Sequence, residues 1–329
     1  MPRSAPARAH RLSVPRGRGL ALALLVACLV PLAARAQSSR DVALPSVPAP
    51  LAGTLTLPAG EERVPGVLLI AGSGPTDRNG NQPGMVNDAY RKLADGLAAC
   101  DVATLRTDKR GIALSAAAEP DEANLTVETY VQDTLRWLDW LRAQPRIGNV
   151  ALIGHSEGAL IATLAAQRMS VSRLVLLAGA GRPAGEVLRE QLATLALAPV
   201  LRRKADQMIA LLERGETDDE PPPALAALFR PSVQPYLVSW FRLDPVQELA
   251  RVTAPTLVVQ GTTDVQVPVS DAQRLAGARN GIRLDIVDGM NHVLRSAPAD
   301  WRANVATYTD ASLPLAPALV PTLCAFLRR

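Results

Sequence analysis

Histidine is scarce in this chain, with three among 329 residues, and the scarcity narrows any search for a proton-transferring base. His10 falls in an N-terminal stretch with the marks of a targeting segment, and His155 is wedged inside a tight turn, which leaves His292. Cysteine is equally rare. Cys28 lies in the same N-terminal stretch, so Cys100 and Cys324 are the pair left for a bridge in an oxidising compartment. Each also reads as a small buried hydrophobe, Cys100 extending the helical face of Tyr90, Leu93 and Leu97.

Acidic residues are missing from positions 1–36, which hold Arg3, Arg8, Arg11, Arg16, Arg18 and Arg35. The apolar run at 20–32 is shorter than the roughly 20 residues of a transmembrane helix, and Ala34-Arg35-Ala36 follows it. This is the pattern of a secretory signal peptide covering 1–36, cleaved before Gln37, which sends the protein to the periplasm or the medium. Leu25-Val26-Ala27-Cys28 offers the alternative of a lipobox, with membrane attachment only through a lipidated Cys28. The formal net charge of +4 comes from this segment: without it, 29 basic side chains face 31 acidic ones, a net of about −2. No surplus of positive charge is left for a nucleic-acid partner.

What is present is Gly154-His155-Ser156-Glu157-Gly158, between the apolar Val150-Ala151-Leu152-Ile153 and the helix-forming Ala159-Leu160-Ile161-Ala162-Thr163-Leu164. A strand that turns sharply into a helix strains its central residue and needs glycine on both sides so that the backbones can approach. The outcome is a nucleophile elbow, with Ser156 pushed out at the carboxyl end of the strand and the His155 side chain pointing away from it. A serine hydroxyl attacks only when a base takes its proton, and the base needs a carboxylate to hold its tautomer. Asp264 follows the buried-strand pattern Pro255-Thr256-Leu257-Val258-Val259-Gln260-Gly261, and His292 follows the strand-like 282–287 in the loop Asp288-Gly289-Met290-Asn291.

Strand patterns at 51–57, 64–71, 101–106 and 173–177 alternate with helical ones at 87–100, 126–142 and from the elbow to about 169, while the Pro/Ser-rich 37–50 reads as a loose arm. The alternation predicts an α/β fold with a mostly parallel sheet covered on both faces, binding ligands at the carboxyl ends of its strands. Ser73, Ser156, Asp264 and His292 all fall at such ends. Residues 181–250 break the rhythm, with amphipathic stretches near 185–197 and 205–214 and the acidic, Pro-rich 216–223. They read as a helical cap inserted between core segments 37–180 and 251–329, or as a linker packed beside the core.

These residues resemble the α/β-hydrolase family, and within it a branch of bacterial serine esterases, secreted or cytosolic, that is serine aminopeptidase-like. The resemblance runs from about Leu51 to the C-terminus. It is carried by Ala71-Gly72-Ser73-Gly74-Pro75 with Asp77-Arg78-Asn79-Gly80, by Arg106-Thr107-Asp108-Lys109-Arg110-Gly111, by 154–158, and by Gly261-Thr262-Thr263-Asp264, in the chain order Ser, Asp, His. It implies Ser156 as nucleophile, His292 as base, Asp264 as its orienting acid, and an oxyanion hole made by the backbone N–H groups of Ser73 and Glu157. Ala71 stands where many relatives have histidine, and Ala113 where the family prefers glycine.

Asp108 and Arg110 read as a structural ion pair beneath the site, and the Glu157 side chain as paired to a nearby arginine or solvated. Arg78 reads as a partner for a substrate carboxylate or as part of a self-bonded turn. Tyr236, Trp240 and Phe241 read as the lining of an acyl pocket or as plain core. The activity implied is hydrolysis of a small-molecule carboxylic ester through an acyl-enzyme, with neither a metal nor an organic cofactor. A peptidase or amidase on the same three side chains is the main alternative, for which carboxylates in the cap such as Asp218-Asp219-Glu220 would anchor a substrate amine. A catalytically silent binding protein is the third reading. Serine in the elbow excludes a dehalogenase, which needs aspartate there.

Overall fold

Alternation along the central strands decides the architecture. In β3 (Val64–Ile70), Val67 and Leu69 join one buried cluster, and Leu68 and Ile70 another; in β5 (Ile147–His155), Ile153 and Leu152 divide in the same way. Successive side chains of a strand point to opposite faces, so a strand apolar in both registers must be covered on both. Helices α1 (Ala89–Ala98) and α11 (Leu319–Leu327) cover the Val67 face, and α2 (Val127–Arg142) and α3 (Glu157–Arg168) the Leu68 face.

The computed structural model describes residues 36–195 and 197–328, together with residue 5; the rest of the segment read as a signal peptide, Cys28 included, lies outside the described residues. The remaining strands are β1 (Ser38–Leu44), β2 (Leu51–Leu57), β4 (Ala103–Thr107), β6 (Leu174–Leu177), β7 (Thr256–Gly261) and β8 (Arg283–Val287). They form one eight-stranded sheet in the order β1-β2-β4-β3-β5-β6-β7-β8, with β2 antiparallel to β1 and β4 and the other pairs parallel. This is the α/β-hydrolase fold.

Two expectations need correction. The segment 37–50 is not a loose arm: Ser38 to Leu44 pair residue for residue with β2 as an edge strand. Its side chains are mostly exposed, so the ladder of backbone hydrogen bonds holds it and no apolar alternation advertised it. The helix expected near 205–214 starts earlier, at Pro199. Between β6 and β7 lie α4 (Ala184–Thr194), α5 (Pro199–Glu213), α6 (Ala226–Phe229), α7 (Gln234–Phe241) and α8 (Pro245–Ala250). Proline at the first turn of α5 is preorganised for a helix, whereas Arg202, Arg203 and Lys204 hide its apolar stripe. These helices bury a cluster of their own around Met208, Ile209, Phe229 and Phe241.

The C-terminal part adds α9 (Val269–Ala276) and α10 (Trp301–Ala306). Cys100, just after α1, and Cys324, in α11, are joined by a disulfide with a Cα–Cα distance of 6.2 Å. It links two helices of one face across 224 residues of sequence.

Candidate active site

Ser156 sits between the last residue of β5 and the first of α3, with φ 54° and ψ −122°, a backbone strain that persists only where packing imposes it. The glycines show what imposes it. A Cβ on Gly154 would lie 2.2 Å from the Gly158 carbonyl oxygen, and one on Gly158 would lie 2.4 Å from that of Ile70. Helix α3 therefore starts in direct backbone contact with the end of β3.

His292 Nε2 lies 3.1 Å from Ser156 Oγ, and its Nδ1 lies 2.8 Å from Asp264 Oδ2. Because the carboxylate only accepts, Nδ1 carries the proton and Nε2 presents a lone pair to the serine hydroxyl. Asp264 is fixed in turn: Oδ1 accepts from the N–H groups of Gln266 (2.8 Å) and Val267 (3.0 Å), and Oδ2 accepts also from Gln260 Nε2 (3.0 Å). Burial opposes its ionisation, but His292 and the two backbone amides outweigh burial and hold the carboxyl below its usual range.

His155 does more than point away from the serine. Strand period puts it on the Ile153 face of the sheet, where its Nε2 is 2.8 Å from the His292 carbonyl oxygen and its Nδ1 2.7 Å from Tyr90 Oη. Nε2–H donates to the carbonyl, Tyr90 donates to Nδ1, and Tyr90 Oη accepts the N–H of Gly72 at 3.1 Å. A neutral His155 thus braces the backbone of His292 against the turn that precedes Ser73. Burial, with His292 nearby, drives its pKa down from 6.5 to about 3. Between these pH values the unfolded chain holds a proton on His155 that the folded chain does not, so stability rises with pH in this window and is lost as pH falls from 6.5 toward 3. The slope approaches roughly 1.4 kcal/mol per pH unit at most. Urea midpoints measured from pH 7 to pH 4 should show this loss, and His155→Gln, which keeps a donor and an acceptor but cannot titrate, should flatten it.

The Gly72–Ser73 turn abuts the elbow, since a Cβ on Gly72 would meet Ser156 Cβ at 3.1 Å. Among the described residues, the N–H groups of Ser73 and Glu157 donate to no protein acceptor, and both residues line the space at Ser156 Oγ. The Glu157 side chain is neither solvated nor paired with arginine, because the start of α3 is buried against α7. It meets Lys109 Nζ at 3.4 Å and accepts from Tyr236 Oη at 2.5 Å.

Among the described residues, Ser156 borders a smaller and a larger cavity. One of about 70 Å³ is lined by Thr76, Tyr90, His292, Val293 and Tyr308. The other, of about 370 Å³, runs beneath the helices between β6 and β7 past Leu160, Val187, Leu188, Leu237, Trp240 and Phe241, with Tyr236 in its wall. Tyr236, Trp240 and Phe241 thus face this space as well as packing among themselves. Asp218, Asp219 and Glu220 do not border it.

A profile of the Alpha/beta hydrolase family matches residues 67–305. The chain belongs to the α/β-hydrolase family. Esterase EstD of Thermotoga maritima is 28% identical over 261 residues, covering 76% of this chain and 61% of that protein, so the chain spans about three fifths of that relative's length. Est1E from Butyrivibrio proteoclasticus with ferulic acid bound superposes with a TM-score of 0.59 at 18% identity, covering 87% of this chain and 98% of that one. The acylaminoacyl peptidase of Pyrococcus horikoshii gives 0.53 at 14% identity, over 90% of this chain and 42% of that one. These two structural likenesses concern the fold.

Two motifs of this α/β-hydrolase serve its frame in a way the sequence did not reveal. Asp108 and Arg110 do not pair with each other: Asp108 accepts the N–H of Arg78 at 2.7 Å, and Arg110 makes a two-pronged contact with Asp133 of α2 at 2.7 and 2.8 Å. Both lie beyond the end of β4, where the chain turns out of the strand, and each finds a charge from another element. Arg78 is not placed for a substrate carboxylate, since its guanidinium faces Asp108 (3.4 Å) and Asp41 (3.5 Å) and it borders neither cavity. Ala113 has φ 47°, the left-handed backbone that explains the glycine preferred there.

Proposed function

We propose that this α/β-hydrolase is a carboxylic-ester hydrolase that works through an acyl-enzyme on Ser156. The observation that carries the reading is His292 held between Ser156 Oγ and Asp264, with that hydroxyl opening on an apolar cavity. Ser156 Oγ attacks the ester carbonyl carbon as Nε2 takes its proton, and Asp264 stabilises the imidazolium. The carbonyl oxygen, now negative, is met by the Ser73 and Glu157 N–H groups, each such donor contributing about 10²- to 10³-fold in rate. The tetrahedral adduct collapses, the C–O bond to the alcohol breaks, and Nε2–H protonates the departing alkoxide. Water then repeats the sequence on the acyl-enzyme, releasing the acid and restoring the serine.

The larger cavity suits an apolar aliphatic or aromatic acyl group, and the likeness to Esterase EstD supports ester hydrolysis. An aminopeptidase needs a free carboxylate for the substrate amine. Among the described residues, the one carboxylate bordering the cavity, Glu157, is engaged by Lys109 and Tyr236. Export before action fits both the N-terminal pattern and the Cys100–Cys324 disulfide, a bond that persists in oxidising compartments.

Nitrophenyl esters from acetate to decanoate, run beside aminoacyl nitroanilides, test the reading. Their kcat/KM should rise by up to about fourfold per added methylene until the cavity is full, with the anilides far behind. A preference for the anilides would transfer the site to the peptidases.

A further inference from the structure

Gly72 is gripped from both sides. Its N–H goes to Tyr90, and its carbonyl oxygen accepts from Lys109 Nζ at 2.7 Å. That carbonyl belongs to the same planar peptide unit as the Ser73 N–H, so whatever holds the oxygen fixes the direction of the N–H on the opposite side. Lys109 is itself nearly buried, with Nζ 5.3 Å from the centre of the Tyr130 ring, and its charge is met by Glu157, the residue whose N–H is the other donor.

We propose that Lys109 is a positioning residue of the oxyanion hole, orienting the Ser73 N–H through the Gly72 carbonyl and tying that donor to Glu157 through the ion pair. The proposal rests on the reading of Ser156 as the nucleophile. A lysine present only to neutralise a buried carboxylate would approach that carboxylate most closely. Here the contact with the carbonyl is the shorter, 2.7 Å against 3.4 Å. Because Glu157 offsets most of the ammonium charge, the effect on the developing oxyanion runs through peptide orientation and polarisation rather than through a distant field. The turn lacks the histidine common in relatives at position 71, and the lysine and tyrosine supply an outside support.

Lys109→Met and Lys109→Met/Glu157→Gln separate the two roles. The measurements are kcat and KM on the preferred nitrophenyl ester, the Ki of a trifluoromethyl ketone carrying the same acyl group, and the thermal midpoint. The ketone adds to serine and places its oxyanion where the ester's would form. In Lys109→Met, kcat should fall on the order of tenfold to a hundredfold, part of the value of one donor, with KM little changed, Ki raised by a matching factor and the midpoint lowered. The double variant, freed of an unpaired buried carboxylate, should regain the midpoint but neither kcat nor Ki. Recovery of all three would show that the lysine only neutralises Glu157, and a Ki that stays at the parent value while kcat falls would equally overturn the proposal. Ser156→Ala in the same assay keeps the failures distinct: hydrolysis surviving there defeats the nucleophile reading, whereas Lys109→Met behaving as parent defeats the lysine alone.

Discussion

Ser156→Ala should lower kcat on the preferred ester by about 10⁶-fold and leave a residual rate about 10³- to 10⁴-fold above that of water, the part expected from the Ser73 and Glu157 N–H groups and the cavity. The expected fall is this large because the hydroxyl is the atom toward which His292 Nε2 is aimed, and among the described residues no other hydroxyl or thiol is hydrogen-bonded to that nitrogen. Adding His292→Gln to Ser156→Ala should cost little more, since a base without a hydroxyl to deprotonate has nothing to do. The fold should be indifferent: alanine accepts the same strained backbone that serine does, and the packing that imposes it lies in Gly154 and Gly158. Steady-state kinetics on the single and double variants, with labelling by a fluorophosphonate probe, check this. Labelling of the parent that vanishes in Ser156→Ala is the expected result, and a variant keeping more than about a tenth of parental kcat would remove Ser156 from the chemistry.

The elbow was legible because its requirement is local. Only glycine tolerates the carbonyl contacts at 154 and 158, so the spacing of the two glycines around Ser156 is a direct imprint of the close backbone approach. Asp264 and His292 were legible because a parallel sheet presents its loops at one rim and histidine is rare enough for elimination to work. What escaped notice depends on partners distant in sequence. Tyr90 scans as one more residue of an apolar helical face, yet its hydroxyl meets His155, 65 residues on, and His155 in turn meets a carbonyl 137 residues further. Lys109 lies inside a motif that carries the resemblance, but its distance from Gly72 and Glu157 is set by how β3, β4 and α3 converge. β1 escaped for the opposite reason, since an exposed edge strand is held by backbone groups, which every sequence possesses.

Asp264→Asn should give the second large effect, a loss of about 10⁴-fold in kcat with KM little changed. The direction follows from the four contacts on the carboxylate. Oδ1 receives two backbone N–H groups, from Gln266 and Val267, and only an oxygen can sit there; an asparagine must therefore turn its amide nitrogen toward the positions now served by Oδ2. That nitrogen faces the Gln260 amide, donor against donor, and His292 Nδ1, to which it donates. An imidazole accepting at Nδ1 carries its proton on Nε2, pointing at Ser156 Oγ, and so has no lone pair with which to take the serine proton. Asparagine thus preserves the shape of the site while installing the wrong tautomer. Because the folded carboxyl titrates below its ordinary value, its stabilisation is fully present above the usual carboxylate range and is lost as pH falls from that range through the lowered pKa, so the variant should also lose part of the parent's acid sensitivity in urea midpoints. Kinetics on Asp264→Asn decide the point, for a drop of less than tenfold would mean that this carboxylate does not set the tautomer of His292.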